Sequence, residues 1–303
     1  MYNGVFAVDK PEGMTSHDVV TRVRRLLKMK KVGHTGTLDP AVTGILPIVV
    51  GSATQLTEIL QERDKGYRAT VSLGFSTDTE DQTGKVVEMS DIRAVDISKI
   101  DEVIESFLGD YNQQVPAYSS VRVNGKKLYE YARKGIEVER PVRTVEIKEI
   151  TRVSDIVKDK DTIIFDIDVI CSKGTYIRTL AVDIGRKLGI HAHMSKLRRT
   201  LSCGIKLEET TPLDDLSKED LIPILDVLAD IPRFEITEEN DIFRIATGQK
   251  ITDIDMIKII GSDLNRVLFT VEEKPVGIYQ KHPTKTGWYK PFKMFLTRED
   301  LMK

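Results

Sequence analysis

Cysteine is scarce in this 303-residue chain, with Cys171 and Cys203 the only two. Neither belongs to a C-x-x-C pair, so the spacing of a structural zinc site is missing. The five histidines (His17, His34, His191, His193 and His282) include one close pair and no H-E-x-x-H helix, and no metal site is expected. A G-x-x-x-x-G-K-[ST] phosphate loop is also missing. No apolar run approaches the roughly 20 residues of a membrane helix, so no membrane association is expected. The opening MYNGVFAVDKPEGMTS places acid and proline where an export signal needs an apolar core, and a cytoplasmic protein is expected. What remains, 40% hydrophobic and 30% charged residues, is an ordinary globular composition. The length allows one large domain or a large and a small one.

Net charge is also small, at −2, but it is unevenly distributed. Residues 21–31, TRVRRLLKMKK, hold six basic side chains and no acid. Residues 208–241 hold twelve acids against Lys218 and Arg233. Segregation of this kind lets a nearly neutral chain carry a basic face. The same run also fits a solvated helix face.

The densest punctuation falls in residues 31–47, KVGHTGTLDPAVTGILP, with three glycines and two prolines. Pro40 fixes its own φ and biases Asp39 away from the helical region. Asp39 is the only carboxylate between Asp18 and Glu58. Between a basic segment and an apolar strand, it is either a candidate for chemistry or a turn aspartate bonding its own backbone.

Along the chain, strands are expected near Val5–Val8, Ile45–Val50, Gly66–Gly74, Val142–Arg152 and Thr162–Cys171. Helices are expected from a Thr15 or Ser16 cap through Leu27, over Gly51–Gln61 and Ile97–Leu108, and along Ile177–Leu188. Residues 75–85 read as a loop and Leu197–Arg199 as a short extended piece. From Tyr118 to Arg143, three tyrosines lie among seven basic residues, a mixture suited to stacking on bases and holding phosphates. Arg178, flanked by Ile177 and Thr179, is expected to meet a carboxylate or a phosphate. Residues 233–303 read as short β pieces with a basic, aromatic tail.

Five blocks in register carry a resemblance: VDKPEGMTSHDVV, GHTGTLDPAVTGILPIVVGSATQL, KGYRATVSLGFSTDTEDQTG, QVPAYSSVRVNGKKLYEYAR and SKGTYIRTLAVDIGRKLGIHAHMSKLRR. Together they resemble the TruB-type tRNA pseudouridine-55 synthases. The resemblance implies an α+β catalytic domain over 1–232, built on a mixed, largely antiparallel sheet, with an RNA-gripping insertion at about 118–143. It also implies a small PUA-like RNA-binding domain over 233–303. The implied activity is isomerisation of a flipped-out T-loop uridine of tRNA to pseudouridine, by a monomer and without a cofactor. Asp39 falls on the family's nucleophile and Arg178 on its active-site arginine. Tyr67 falls on the tyrosine that stacks on the base, a candidate for removing the proton at carbon 5. His34, Tyr176 and Leu197 fall on substrate-binding positions. Arg22, Arg25, Lys126, Arg198 and Arg199 are the candidates for holding the RNA backbone. Three other readings compete: a non-catalytic tRNA-folding helper, a pseudouridine synthase for another RNA site, and a phosphoryl-transfer enzyme. The last lacks the aspartate needed before TGT, where Gly33 and His34 stand.

Overall fold

The computed structural model describes residues 2–296. The chain is mixed α/β, with one large sheet and a second, five-stranded sheet. The main path of the large sheet runs Thr211–Pro212, Gly4–Lys10, Thr43–Val50, Ala192–Ser202, Lys65–Leu73, Ile163–Cys171, Val142–Arg152 and Gly109–Gln114. On this path only Thr211–Pro212 beside Gly4–Lys10 and Ala192–Ser202 beside Thr43–Val50 are parallel; the other pairs are antiparallel.

The Ile163–Cys171 strand alternates buried and half-buried residues along its length, as period-two patterning demands. Its buried face joins Ala69, Val71 and Leu73 in a core covered by the Ile100–Glu105 and Ile177–Lys187 helices. A second cluster packs Val19, Val20, Val23 and Leu27 of the Ser16–Leu27 helix against Phe6, Val8, Leu46 and Ile48. Each such aliphatic side chain contributes about 1.5–3 kcal/mol on burial. Thr15 caps this helix, and Asp18 completes a capping box by accepting from the Thr15 amide at 2.9 Å. Leu26, next to buried Leu27, is exposed.

The second sheet runs Arg233–Glu235, Arg266–Val271, Lys274–Lys281, Trp288–Met294 and Ile251–Thr252. It has its own core of Ile245, Met256, Phe269, Tyr279 and Tyr289, while Leu268, Ile278 and Phe295 pack against Leu56 and Ile231 of the larger part. This region is less purely β than expected. Two eight-residue helices, Glu239–Ala246 and Asp253–Ile260, accompany the strands. Exposed Phe243, Ile254 and Ile257 blur their apolar stripes. Residues 297–303, part of the region assigned to this domain, lie outside the described residues. No helix among the described residues is long and apolar enough to cross a membrane.

Three expectations change. The Leu197–Arg199 piece is the middle of an eleven-residue strand, Ala192–Ser202, at the centre of the large sheet. Register shifts between Met194 and Lys196, and between Arg199 and Leu201, break its alternation. The 75–85 loop begins as a strand, Phe75–Thr77, paired with Val86–Met89. The Gly51–Gln61 helix divides into a 3₁₀ segment, Gly51–Leu56, and a short α-helix, Thr57–Glu62.

His193 supplies a pH test of this architecture. It is 3% exposed, its ring stacks on Phe75 with centroids 4.3 Å apart, and its Nδ1 lies 3.1 Å from the Phe75 carbonyl. Burial lowers its pKa from 6.5, against the opposing pull of that carbonyl and of Asp81. Below pH 6.5 the unfolded chain takes up this proton before the folded one does. Stability is therefore expected to fall as pH drops through 6.5, with a smaller slope in His193→Gln. Urea denaturation of parent and variant from pH 7.5 to 5.5 checks this, and equal slopes would remove His193 as the cause.

Candidate active site

The Asp39 loop is held from several sides. Ser16 Oγ accepts from the Leu38 amide at 2.8 Å and donates to its carbonyl at 3.1 Å. The Val42 amide donates to the Asp39 carbonyl at 3.0 Å, closing a turn with Pro40 in its second position. The Gly13 amide reaches the Pro40 carbonyl at 2.9 Å. Leu38 and Val42 are buried on either side, leaving Asp39 exposed between them. Where the loop enters the sheet, Gly44 has a φ of +99° and lies against the Arg199 backbone, where a Cβ would meet the Arg199 carbonyl oxygen at 2.2 Å.

Lys10 completes the clamp. Its side chain is fully buried, and Nζ donates to the carbonyls of Pro11 and Met14 at 2.8 Å each and of Pro40 at 3.3 Å. Burial lowers its pKa, and the charges of Asp39, Glu12 and Asp18 oppose the shift. Lys10→Met would strand these carbonyls in an apolar setting, at an expected cost of about 2–4 kcal/mol by urea denaturation. A loss below about 1 kcal/mol would mean that water replaces the ammonium.

The Asp39 carboxylate does not bond its own turn. Arg178 Nη2 donates to Asp39 Oδ2 at 2.7 Å. Arg178 is the second residue of the Ile177–Lys187 helix, whose entry is fixed by buried Gln113. Gln113 accepts from the Tyr176 amide at 2.7 Å and donates to its carbonyl at 2.9 Å. Arg178 Nη1 faces Asp81 Oδ2 at 3.4 Å and the Thr79 carbonyl at 3.5 Å. Asp81 is held in turn by Thr79 Oγ1 at 2.8 Å and by the Thr83 amide at 2.9 Å. One guanidinium thus spans two carboxylates. The Arg178 and Asp81 side chains are each 15% exposed, whereas Asp39 is 54% exposed. The inner pair is an anchor, and the outer carboxylate faces open space.

That space is a cavity of about 730 Å³ lined by Asp39, Tyr67, Tyr176, Arg178 and Leu197, with Tyr118 and Tyr129 also on its wall. Its size suits a small-molecule or nucleobase-sized group. Five of the six expected catalytic and substrate-binding residues therefore converge. His34, on the Val32–His34 strand, is absent from the lining. Burial lowers its pKa, with the nearby positive charges of Arg199 and His17 adding to the shift.

Tyr67 stands opposite Arg199 on the neighbouring strand. Burial pushes its phenol up, against the Arg199 guanidinium, so the neutral hydroxyl is favoured. Arg199 itself corrects an expectation. It is 2% exposed, with Nε donating to the Ile45 carbonyl at 2.7 Å, and cannot hold RNA phosphates from that position. Arg198 is bound to Asp9 at 2.6 Å. Arg22 meets Asp214 at 2.5 Å in an exposed pair that exchanges readily. Arg25 and Lys126 are exposed, with no ion pair among the described residues. No cluster of three or more His, Cys, Asp or Glu residues able to hold a metal ion occurs among the described residues.

Comparison with known proteins decides the lineage. Residues 24–177 match the model of the TruB family pseudouridylate synthase N-terminal domain, and residues 178–222 that of the tRNA pseudouridylate synthase B C-terminal domain. The chain belongs to the TruB family of pseudouridylate synthases. It is 48% identical over 305 residues to tRNA pseudouridine synthase B of Staphylococcus saprophyticus, covering 97% of this chain and 100% of that relative. The corresponding Staphylococcus haemolyticus protein is 45% identical over 306 residues, with the same coverage. Among solved structures, the chain is similar to one from a Cbf5-Nop10-Gar1 complex, with a TM-score of 0.65 and 25% identity over 98% of this chain and 86% of that one. A chain of the archaeal box H/ACA sRNP Nop10-Cbf5 complex shares the fold, with a TM-score of 0.65 and 23% identity over 98% of this chain and 87% of that one. Around Asp39 and Arg178 the structure also places Lys10, Asp81 and Gln113, which the sequence had not singled out.

Proposed function

We propose that this isomerase converts the T-loop uridine at position 55 of tRNA to pseudouridine in the cytoplasm, with Asp39 as nucleophile and no added carrier. One observation carries the reading: an exposed carboxylate, gripped at 2.7 Å by a guanidinium that is itself 15% exposed, opens into a nucleobase-sized cavity lined by tyrosines. The isomerisation breaks the bond between uracil N1 and ribose C1′, turns the base and joins C5 to C1′; the C5 proton is released and N1 takes up a proton, so the atoms balance. Covalent attack needs an immobile carboxylate, and the bond from Arg178 Nη2 holds it. A T-loop base must leave its stack to reach Asp39, at a cost of a few kcal/mol that contacts to the extruded base offset. Tyr67 supplies a stacking face. Its neutral phenol is a weak base, and the Arg199 guanidinium beside it favours the phenolate that a proton acceptor requires.

The region assigned to residues 233–303 is read as a PUA-like RNA-binding domain beside a catalytic domain over 1–232. Arg25 and Lys126 are the freest of the expected phosphate contacts. The test is release of tritium from C5-labelled tRNA without cofactor, followed by mapping of the modified position. Release mapped to the T loop supports the reading. Release from another site would replace the substrate, and tight tRNA binding without release would favour a folding helper.

A further inference from the structure

Glu80 lies between the two residues that hold the inner side of Arg178, and the reaction as described gives it no task. Its backbone is in the left-handed region, at φ +65°. That conformation favours glycine or asparagine and gives no reason for a glutamate. The backbone is pinned by the Met194 amide, which donates to the Glu80 carbonyl at 3.0 Å. The side chain, 15% exposed, turns inward.

Its carboxylate joins two parts of the molecule that are far apart in the sequence, adding a side-chain tie to the Gln113–Tyr176 bonds beside it. Thr179 Oγ1 donates to Oε2 at 2.6 Å. Thr179 is 3% exposed and follows Arg178 in the first turn of its helix. Arg140 Nη1 lies 3.4 Å from Oε1. Arg140 also donates through Nη2 to Gln114 Oε1 at 2.8 Å. The Val115 amide reaches the Pro141 carbonyl at 3.0 Å, so this arginine sits at the root of the segment between them. That segment supplies Tyr118, Ser119, Tyr129 and Arg133 to the cavity wall. Burial raises the Glu80 pKa, while Thr179, Arg140 and Arg178 all act to keep it charged.

We propose that Glu80 is a positioning residue that ties the root of the 116–140 segment to the arginine-bearing end of the Ile177–Lys187 helix. The tyrosine-bearing wall and the Arg178–Asp39 pair then keep one spacing around the bound base. This rests on the reading of the site as a pseudouridine synthase. Displacements near 1 Å at such a site cost up to about 100-fold in rate. Here the tie acts through a neighbour, so a loss of about tenfold is expected.

The test uses the full chain and a C5-tritiated T-arm hairpin. Single-turnover rates are measured at saturating enzyme, RNA affinity by filter binding, and melting temperature separately. Glu80→Gln keeps the shape and removes the charge. Thr179→Val removes the same tie from the helix side, so the proposal stays testable if one variant folds poorly. Both variants are expected to react about tenfold slower while RNA affinity stays within about twofold. Glu80→Gln combined with Arg140→Gln is expected to be no slower than the slower single variant, because both remove one link. Rates within twofold of the parent in both single variants would overturn the proposal. So would additive losses in the pair, or slow turnover that vanishes at a temperature where the variants are fully folded. A parent that releases no tritium would instead remove the proposed function.

Discussion

Asp39→Asn is expected to lower single-turnover tritium release by about ten-thousand-fold or more, while tRNA affinity stays within a few-fold of the parent. Asparagine is nearly isosteric and can still accept from Arg178 through its amide oxygen, but it has no charge and cannot form the ester-like adduct. The fold has little reason to change. The loop is held by the Ser16–Leu38 bonds, the Lys10 ammonium and the Val42 amide, none of which uses the Asp39 carboxylate. The carboxylate is 54% exposed, so its pairing contributes little to stability. Activity and stability should therefore separate, with the melting temperature nearly unchanged. A variant within tenfold of the parent rate would sink the nucleophile assignment, because among the described residues no other exposed carboxylate lines the cavity.

The same loop shows what a sequence can and cannot disclose. Pro40 and Gly44 restrict the backbone locally, so the constrained position of Asp39 is legible from its neighbours alone. Arg178 is legible as a guanidinium amid apolar and hydroxyl neighbours that needs an anion. Its second partner is not, because Asp81 lies 97 residues away in a segment that reads only as polar loop. Lys10 is hidden for a different reason. It is satisfied by backbone carbonyls, which every residue carries, so no complementary side chain announces its burial. Arg199 is the opposite error. A basic Leu-Arg-Arg run reads as surface, yet one arginine is 2% exposed, with its Nε on the Ile45 carbonyl, while bulges in its strand hide the alternation that would have warned of it. The large sheet was legible in five of its strands, Ile163–Cys171 through clean alternation and Val5–Val8 and Ile45–Val50 as short apolar runs buried on both faces. The central Ala192–Ser202 strand was visible only in part.

Arg178→Lys separates the two tasks that the guanidinium combines. Lysine keeps the charge but concentrates it on one nitrogen, which cannot span Asp39 Oδ2 and Asp81 Oδ2 as the two arginine nitrogens do. The ammonium must choose. Against Asp81 it would be buried in an anchoring role and leave Asp39 unrestrained; against Asp39 it would leave the 15%-exposed Asp81 carboxylate without its counter-charge. Either choice is expected to cost about 100- to 1,000-fold in turnover at saturating RNA, the range that follows from breaking one arm of a desolvated, hydrogen-bonded charge pair. Asp81→Asn keeps Arg178 intact and removes only the inner anchor, so a smaller loss is expected. RNA affinity should change little in both, because the Arg178 side chain is 15% exposed and lies behind Asp39. The informative comparison is rate against affinity. If Arg178→Lys bound tRNA poorly but reacted at the parent rate once saturated, the arginine would be an RNA contact, and the carboxylate would need some other partner to hold it still.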